Sequence, residues 1–325
     1  MTGAPRLLAR RAMTNPLPTG FCHGATLLPL PDGSLLGAWF GGTAEGLPDS
    51  GIYTARLPAG AAGWSAPALV VPADGHPCGN PVLFAGAPGV LWLAYFRVHG
   101  VWCTGGKPCA RISLDGGQTW SDELLLWDRA GVLTKNKPLQ VGTTLLLPVY
   151  DEVRWQVGIA RLDVARHTTA WAFDDLAIGA GTGVPMIQGT LAAVAPQRLL
   201  LLMRTRVGRI WAAESADGGR TWSTPHPTAL PNPNAGIDMV RLPDGRLWLA
   251  YNHTDRGRDP MQWELRYPLC LAESGDGGAT WTQVAVLEEG PGEYSYPAIV
   301  VDGAGRVHVA YTALRREIRH VVLAP

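Results

Sequence analysis

Short apolar stretches alternate with Gly-, Pro- and Asp-rich breaks along almost the whole chain. Six pairs of these stretches read as apolar strand, turn, apolar strand. They are Ala25–Phe40 (turning at Leu30-Pro31-Asp32-Gly33), Pro81–Phe96 (Ala87-Pro88-Gly89), Pro138–Tyr150 (Gly142-Thr143), Gly189–Arg204 (Pro196-Gln197), Ile237–Tyr251 (Leu242-Pro243-Asp244-Gly245) and Pro297–Tyr311 (Asp302-Gly303-Ala304-Gly305). Alternating apolar positions bounded by turn residues are the signal of a β-hairpin.

A second hairpin follows most of these units, and in three of them its tip carries one motif, S-x-D-G-G-x-T-W: Ser113–Trp120, Ser215–Trp222 and Ser274–Trp281. Asp-Gly and Gly-Gly supply the positive φ of a tight turn, the Asp accepts backbone N–H groups inside it, and the Trp anchors the outgoing strand. Unit one keeps only the Trp (Tyr53 to Trp64), as does unit three (Ile159 to Trp171), and unit six has one further strand, Glu317–Leu323. A spacing of about 50–60 residues fits four-stranded blades. The pattern predicts an all-β fold: a six-bladed β-propeller of four-stranded antiparallel blades, one domain over residues 1–325. Arg6–Ala12 is expected to supply the missing strand of the last blade, because closure removes two open sheet edges.

This topology sorts residues by face. Turns between strands 1 and 2 and between strands 3 and 4 share one face, so the three motif turns lie there. The starts of strand 1 and the loops after strand 2 lie on the other. That face collects His23, Glu45 and Asp49 from blade 1, and His76, Asn80 and Arg97 from blade 2. Blade 3 adds Lys135, Asn136, Lys137, Asp151 and Glu152, and blade 4 adds Gln188 and Arg204. Blade 5 adds Asn234, Asp238, Asn252, His253 and Arg266, and blade 6 adds Glu293, Tyr294, Tyr296 and Arg315. Polar groups converging on a channel mouth make a small-ligand site.

Composition narrows the ligand. Twenty-seven basic residues balance twenty-seven acidic ones, which argues against nucleic acid and anionic membranes as partners. The longest apolar runs, Leu145–Val149 and Leu199–Met203, fall far short of a membrane span. Met1 to Gly20 is basic without an apolar core, so no signal peptide is expected and a cytoplasmic location is, with secretion as the alternative. The five cysteines (22, 78, 103, 109 and 270) match no metal spacing and read as free thiols. No phosphate loop, metal constellation or nucleophile elbow appears, so no metal or other cofactor is expected.

The repeated motif is the Asp box, or BNR repeat. With six blades the chain resembles the sialidase (neuraminidase) superfamily over nearly its whole length. That resemblance implies arginines that hold a substrate carboxylate, a Tyr nucleophile with a Glu as its base, and an Asp as acid/base. Carried over, Tyr294 (in Tyr294-Ser295) takes the nucleophile position, Arg204 and Arg266 two arginine positions, and Asp49 the acid/base position. Two positions depart from the pattern. His23 stands nearest to the first arginine, and Gln188 stands where the Glu opens the fourth blade. A Gln amide accepts no proton at neutral pH. A sialidase-like subgroup is also resembled in His23-Gly24-Ala25-Thr26, Lys135-Asn136-Lys137-Pro138 and Tyr294-Ser295-Tyr296-Pro297.

Simpler readings stand beside these. Asp49 caps a turn, Tyr296 packs at a blade start, Lys135-Asn136-Lys137 is a solvated loop, and His23 is either a structural residue or an acid/base. The box residues Asp115, Asp217 and Asp276 are structural. The expected function is a sialidase-like, exo-acting glycoside hydrolase on a sugar with a carboxylate, bound by Arg204, Arg266 and Gln188, with Tyr294, Asp49 and His23 as catalytic candidates. A lyase on uronate-containing glycans and a non-catalytic glycan-binding propeller are the alternatives. The sequence leaves the oligomeric state open.

Overall fold

The computed structural model describes residues 5–14, 19–166, 168–256 and 260–325, so part of the N-terminal stretch Met1 to Gly20 lies outside the described residues. Its strands form six antiparallel sheets, each a blade. Blade 1 runs Phe21–Pro29, Leu35–Gly42, Gly51–Leu57, Ala68–Val71, and blade 2 runs Cys78–Ala85, Leu91–Val98, Gly106–Ser113, Leu124–Leu125. Blade 4 (Met186–Ala195 to His226–Pro231) and blade 5 (Asp238–Arg241 to Thr282–Glu288) repeat that order. In blade 3 the first strand is split into Val132–Thr134 and Leu139–Val141, and both pieces pair with Thr144–Asp151. Blade 6 is built from Tyr294–Val301, Val307–Ala313 and Glu317–Ala324, and Arg6–Ala12 adds antiparallel to the last of these. The ring therefore closes with the strand that the sequence assigns to it.

The apolar positions bury at the junctions between blades. One cluster joins blades 2 and 3 through Phe84, Trp92, Leu147 and Trp171. Another joins blades 5 and 6 through Trp248, Leu271, Tyr294 and Tyr311. Each blade thus needs its neighbours to bury both faces.

The box turns show why their sequence is fixed. Ser215 Oγ donates to Asp217 Oδ1 (2.8 Å) and accepts from Gly219 N (2.8 Å). Asp217 Oδ1 accepts from the backbone of Arg220 and Thr221, both at 2.9 Å. These bonds, the Thr221 hydroxyl foremost, hold the Asp217 carboxyl well below its ordinary range. Gly219 has φ 87°, and a Cβ there would stand 2.7 Å from Leu146 of the preceding blade. Glycine therefore serves both the turn and the close approach between blades. Trp222, Trp120 and Trp281 each pack into the cluster between their own blade and the one before it.

Candidate functional site

The face opposite the boxes is built by a repeated backbone device. In blades 1, 2, 4 and 6 the first strand shifts register against the second, between His23 and Thr26, Gly79 and Val82, Ile187 and Thr190, and Ser295 and Ala298. Each shift holds a left-handed residue: Gly24 (φ 63°), Asn80 (43°), Gln188 (54°) and Tyr296 (52°). A bulge adds one residue to a strand and re-aims its side chain. Left-handed conformations at non-glycine residues are strained, and they persist where the surroundings over-determine them.

Three of these side chains meet. Gln188 Nε2 donates to the hydroxyls of Tyr296 and Tyr150, both at 3.3 Å, and Asn80 Nδ2 donates to Tyr150 at 3.1 Å. Arg204, at the end of the second strand of blade 4, closes the group. Its Nη1 donates to Gln188 Oε1 (2.9 Å) and to the Tyr296 hydroxyl (3.0 Å), and its Nε donates to Asn234 Oδ1 (2.8 Å). Arg266 lies beside it, donating to Asn234 O (3.3 Å) and to Glu293 Oε1 (2.9 Å). The guanidinium carbons of Arg204 and Arg266 stand 5.9 and 5.8 Å from the centre of the Tyr296 ring, and Lys135 Nζ stands 5.8 Å from it. Gly236 completes the fit: a Cβ there would come within 3.2 Å of Gln188 Oε1.

Charge at this mouth is unbalanced. Glu293, fully buried, takes Arg266 and Arg315, and Arg315 also binds Glu45. Arg204 and Lys135 are both about 5 % exposed, yet neither has an ion pair among the described residues. Arg204 is held by the amide and phenol oxygens above. Lys135 donates to Asn136 Oδ1 (3.0 Å) and to the Pro297 carbonyl. Burial pushes the Lys135 ammonium down to about 8, with Asp238 opposing the shift.

His23 reports the same field. Its ring centre lies 4.3 Å from that of Tyr296, and both ring nitrogens are buried without a hydrogen-bond partner among the described residues. Burial lowers its pKa well below the usual value, and Arg315, Arg266, Lys135 and Arg204 lower it further. The imidazole is therefore neutral at neutral pH.

The structure thus brings together Gln188, Arg204, Arg266 and His23 of the sequence-derived candidates, and it places Tyr294 and Asp49 apart from them. Tyr294 packs into the cluster between blades 5 and 6, with Arg319 over its ring at 5.8 Å. The tyrosine at the mouth is Tyr296. Regular alternation would give both the same face, and the bulge at Tyr296 separates them. Asp49 is exposed, and its Oδ2 accepts from Thr43 N (2.9 Å) and Thr43 Oγ1 (2.7 Å), which lower its pKa. That is the turn-capping role. Asp115, Asp217 and Asp276 lie in the box turns on the far face. Lys135 and Asn136 are buried rather than part of a solvated loop. Asn136 Nδ2 donates to the carbonyls of Gln188 (3.2 Å) and Gly189 (2.9 Å), which ties blade 3 to the blade 4 bulge. The anchoring role of Asn234 and the third arginine, Arg315, carry no signal in spacing. Among the described residues no group of three or more His, Cys, Asp or Glu side chains is arranged to hold a metal ion.

Six four-stranded blades, with the box turns on one face and a Gln–Tyr–Arg cluster on the other, define a six-bladed β-propeller. The chain belongs to the BNR repeat-like domain family, whose model matches residues 33–309. The sequence matches no curated protein significantly. In fold it is similar to a protein of unknown function from Dyadobacter fermentans (TM-score 0.77, 16% identity, 99% of each chain covered). It is also similar to the K499G mutant of the NanB sialidase of Streptococcus pneumoniae (TM-score 0.74, 11% identity, covering 99% of this chain and 70% of that one). A third similar fold is the leech intramolecular trans-sialidase (TM-score 0.72, 15% identity, covering 99% and 70%). At such identities the likeness is one of fold.

Proposed function

We propose that the channel mouth binds the carboxylate of an acidic sugar, and that the protein is a sialidase-like glycoside hydrolase acting on such a sugar. One observation carries this reading. Two buried cations, Arg204 and Lys135, face Tyr296 and, among the described residues, are hydrogen-bonded only to neutral oxygens. An uncompensated buried charge is costly, and a ligand anion offsets that cost. Arg204 spends Nε and Nη1 on Asn234, Gln188 and Tyr296, and its Nη2, which makes no hydrogen bond among the described residues, is left to donate a charge-assisted bond to a carboxylate. Tyr296, rather than Tyr294, is the phenol beside that anion, positioned as nucleophile or as stabiliser of a developing oxocarbenium ion. The fold shared with sialidases and a trans-sialidase supports a sialoside as the first substrate to test.

The experiment pairs an acidic aryl glycoside with its neutral counterpart, using the wild-type protein and Arg204→Gln. The wild type should turn over the acidic compound alone, and Arg204→Gln should lose about 100-fold or more in kcat/KM, the weight of a charge-assisted carboxylate clamp. Equal handling of the two sugars sinks the clamp. Tight calorimetric binding without turnover favours a glycan-binding propeller instead.

His23 favours a second reading. A neutral imidazole beside Tyr296, without a partner among the described residues, has the free ring nitrogen needed to take a proton from the carbon next to a bound carboxylate. The C–O bond at the neighbouring carbon would then break to leave a double bond, as in a uronate lyase. New ultraviolet absorbance from that conjugated double bond during digestion separates the lyase from the hydrolase.

A further inference from the structure

Hydrolysis of a glycoside needs a group at the mouth that delivers a proton to the departing oxygen. The obvious carboxyls there are already engaged. Glu45 and Glu293 are held by Arg315 and Arg266. Asp49 is tied to Thr43. Asp238 accepts from Lys137 (2.7 Å), Thr190 (2.8 Å) and Ile299 N (2.9 Å), and Asp151 accepts from Arg129 (2.6 Å). His23 is enclosed among cations that keep it unprotonated.

Glu152 differs from all of these. It follows the strand Thr144–Asp151, two residues beyond the Tyr150 hydroxyl that receives Gln188 and Asn80. Its own N–H is fixed on Gly131 O at 2.8 Å. Three residues further on, the ring of Trp155 lies 5.7 Å from the Arg204 guanidinium carbon and 3.5 Å from that of Arg206. The segment 150–155 therefore runs along the flank of Arg204 and Gln188. The Glu152 side chain is half-buried, feels the charges of Arg204 and Arg206, and makes no hydrogen bond or ion pair among the described residues.

We propose that Glu152 is the proton donor of this site, protonating the glycosidic oxygen of an acidic sugar whose carboxylate is held at Arg204. This rests on the carboxylate reading above. In the step, the Glu152 carboxyl gives its proton to the bridging oxygen as the bond from that oxygen to the anomeric carbon breaks. The alcohol leaves with that proton. Water then attacks the anomeric carbon, its oxygen stays on the sugar, and the Glu152 carboxylate takes back one proton. Arg204 and Arg206 stabilise the carboxylate at the moment it forms. Burial raises the Glu152 carboxyl above its ordinary range against the pull of those arginines, the direction a proton donor needs.

The test compares wild type with Glu152→Gln on two acidic glycosides, one with a nitrophenol leaving group and one with a sugar alcohol. A nitrophenolate leaves without protonation, whereas a sugar alkoxide does not. The variant should lose about 100-fold or more in kcat on the disaccharide and less than about tenfold on the aryl glycoside, in line with the usual weight of general acid catalysis. The basic limb of its pH profile should also vanish. Thermal melting should match the wild type, which shows that the variant is folded. Equal losses on both substrates, or an unchanged basic limb, overturn the assignment of Glu152 and leave the carboxylate reading standing. A wild type that binds acidic sugars but never cleaves them overturns Glu152 together with the hydrolase reading and leaves the carboxylate site standing. One that neither binds nor cleaves them overturns both.

Discussion

The guanidinium of Arg204 in blade 4 donates to the phenol of Tyr296 in blade 6 over 3.0 Å, across the mouth of the central channel. Gln188 donates to the same phenol at 3.3 Å and accepts from the same guanidinium at 2.9 Å. The phenol oxygen therefore receives two N–H groups, and the three side chains fix one another. Because the third member is Gln188, the triangle holds an amide that donates to the phenol and takes no proton from it at neutral pH.

The two tyrosines of the Tyr294-Ser295-Tyr296 segment should separate cleanly in mutants. Tyr296→Phe removes the shared acceptor and should cut turnover of an acidic glycoside by about 100-fold, with little change in melting temperature. Tyr294→Ala empties a core position that is 9% exposed. It should cost about 3–5 kcal/mol of stability, read by urea denaturation, while the folded protein keeps the wild-type kcat. The opposite pattern would return the role to Tyr294.

Lys135 gives acidic-sugar binding a pH dependence. Its ammonium is pushed down to about 8 by burial. The charged form, which attracts an anion, dominates below that pH and is lost above it. Affinity measured by calorimetry should therefore fall as pH rises through about 8, and Lys135→Met should flatten that dependence. An alkaline loss that persists in Lys135→Met would point to another group.

A second buried network should govern acid stability. Trp64 Nε1 donates to His320 Nδ1 (3.3 Å), His320 Nε2 meets His308 Nδ1 (3.0 Å), and His308 Nε2 meets Asp302 (3.1 Å). An indole only donates, so the proton of His320 is on Nε2 and that of His308 on Nε2. Both rings are then neutral and the chain runs one way to Asp302. Burial pushes His320 down to about 3 from 6.5, with His308 and Arg11 adding to the shift. Between those values the unfolded chain binds a proton that the folded chain does not. This contribution is complete above about pH 6.5 and is lost progressively as pH falls toward 3, by a few kcal/mol on the order of the linkage relation. Melting temperature should drop between pH 7 and pH 5, and His320→Gln should drop less steeply. Parallel curves would remove His320 as the cause.

The box turns should matter for stability and not for turnover. Asp217→Ala removes the acceptor of two backbone N–H groups and the Thr221 hydroxyl. The melting temperature should fall while kcat/KM of the folded protein stays at the wild-type value. A loss of catalysis at full stability would place function on the box face.

By itself the sequence determined the blades, their turns and their order. Hydrophobic alternation, Asp-Gly turns and a repeated Trp are local signals, and the register they set put Gln188, Arg204 and Arg266 on one face. It also marked Arg6–Ala12 as the closing strand, because an unpaired edge in blade 6 requires one. What only the tertiary structure decided is which polar groups meet. A single bulge separates Tyr296 from Tyr294, and a two-residue alternation has no term for one inserted residue. A split first strand in blade 3 turns Lys135 and Asn136 inward. Whether a charge is spent or available depends on what neighbouring blades bring to it, as with Glu293 of blade 6, which takes Arg266 of blade 5 and Arg315 of its own blade, the latter also bound to Glu45 of blade 1. That pairing is a property of the closed ring, and no spacing along one strand encodes it.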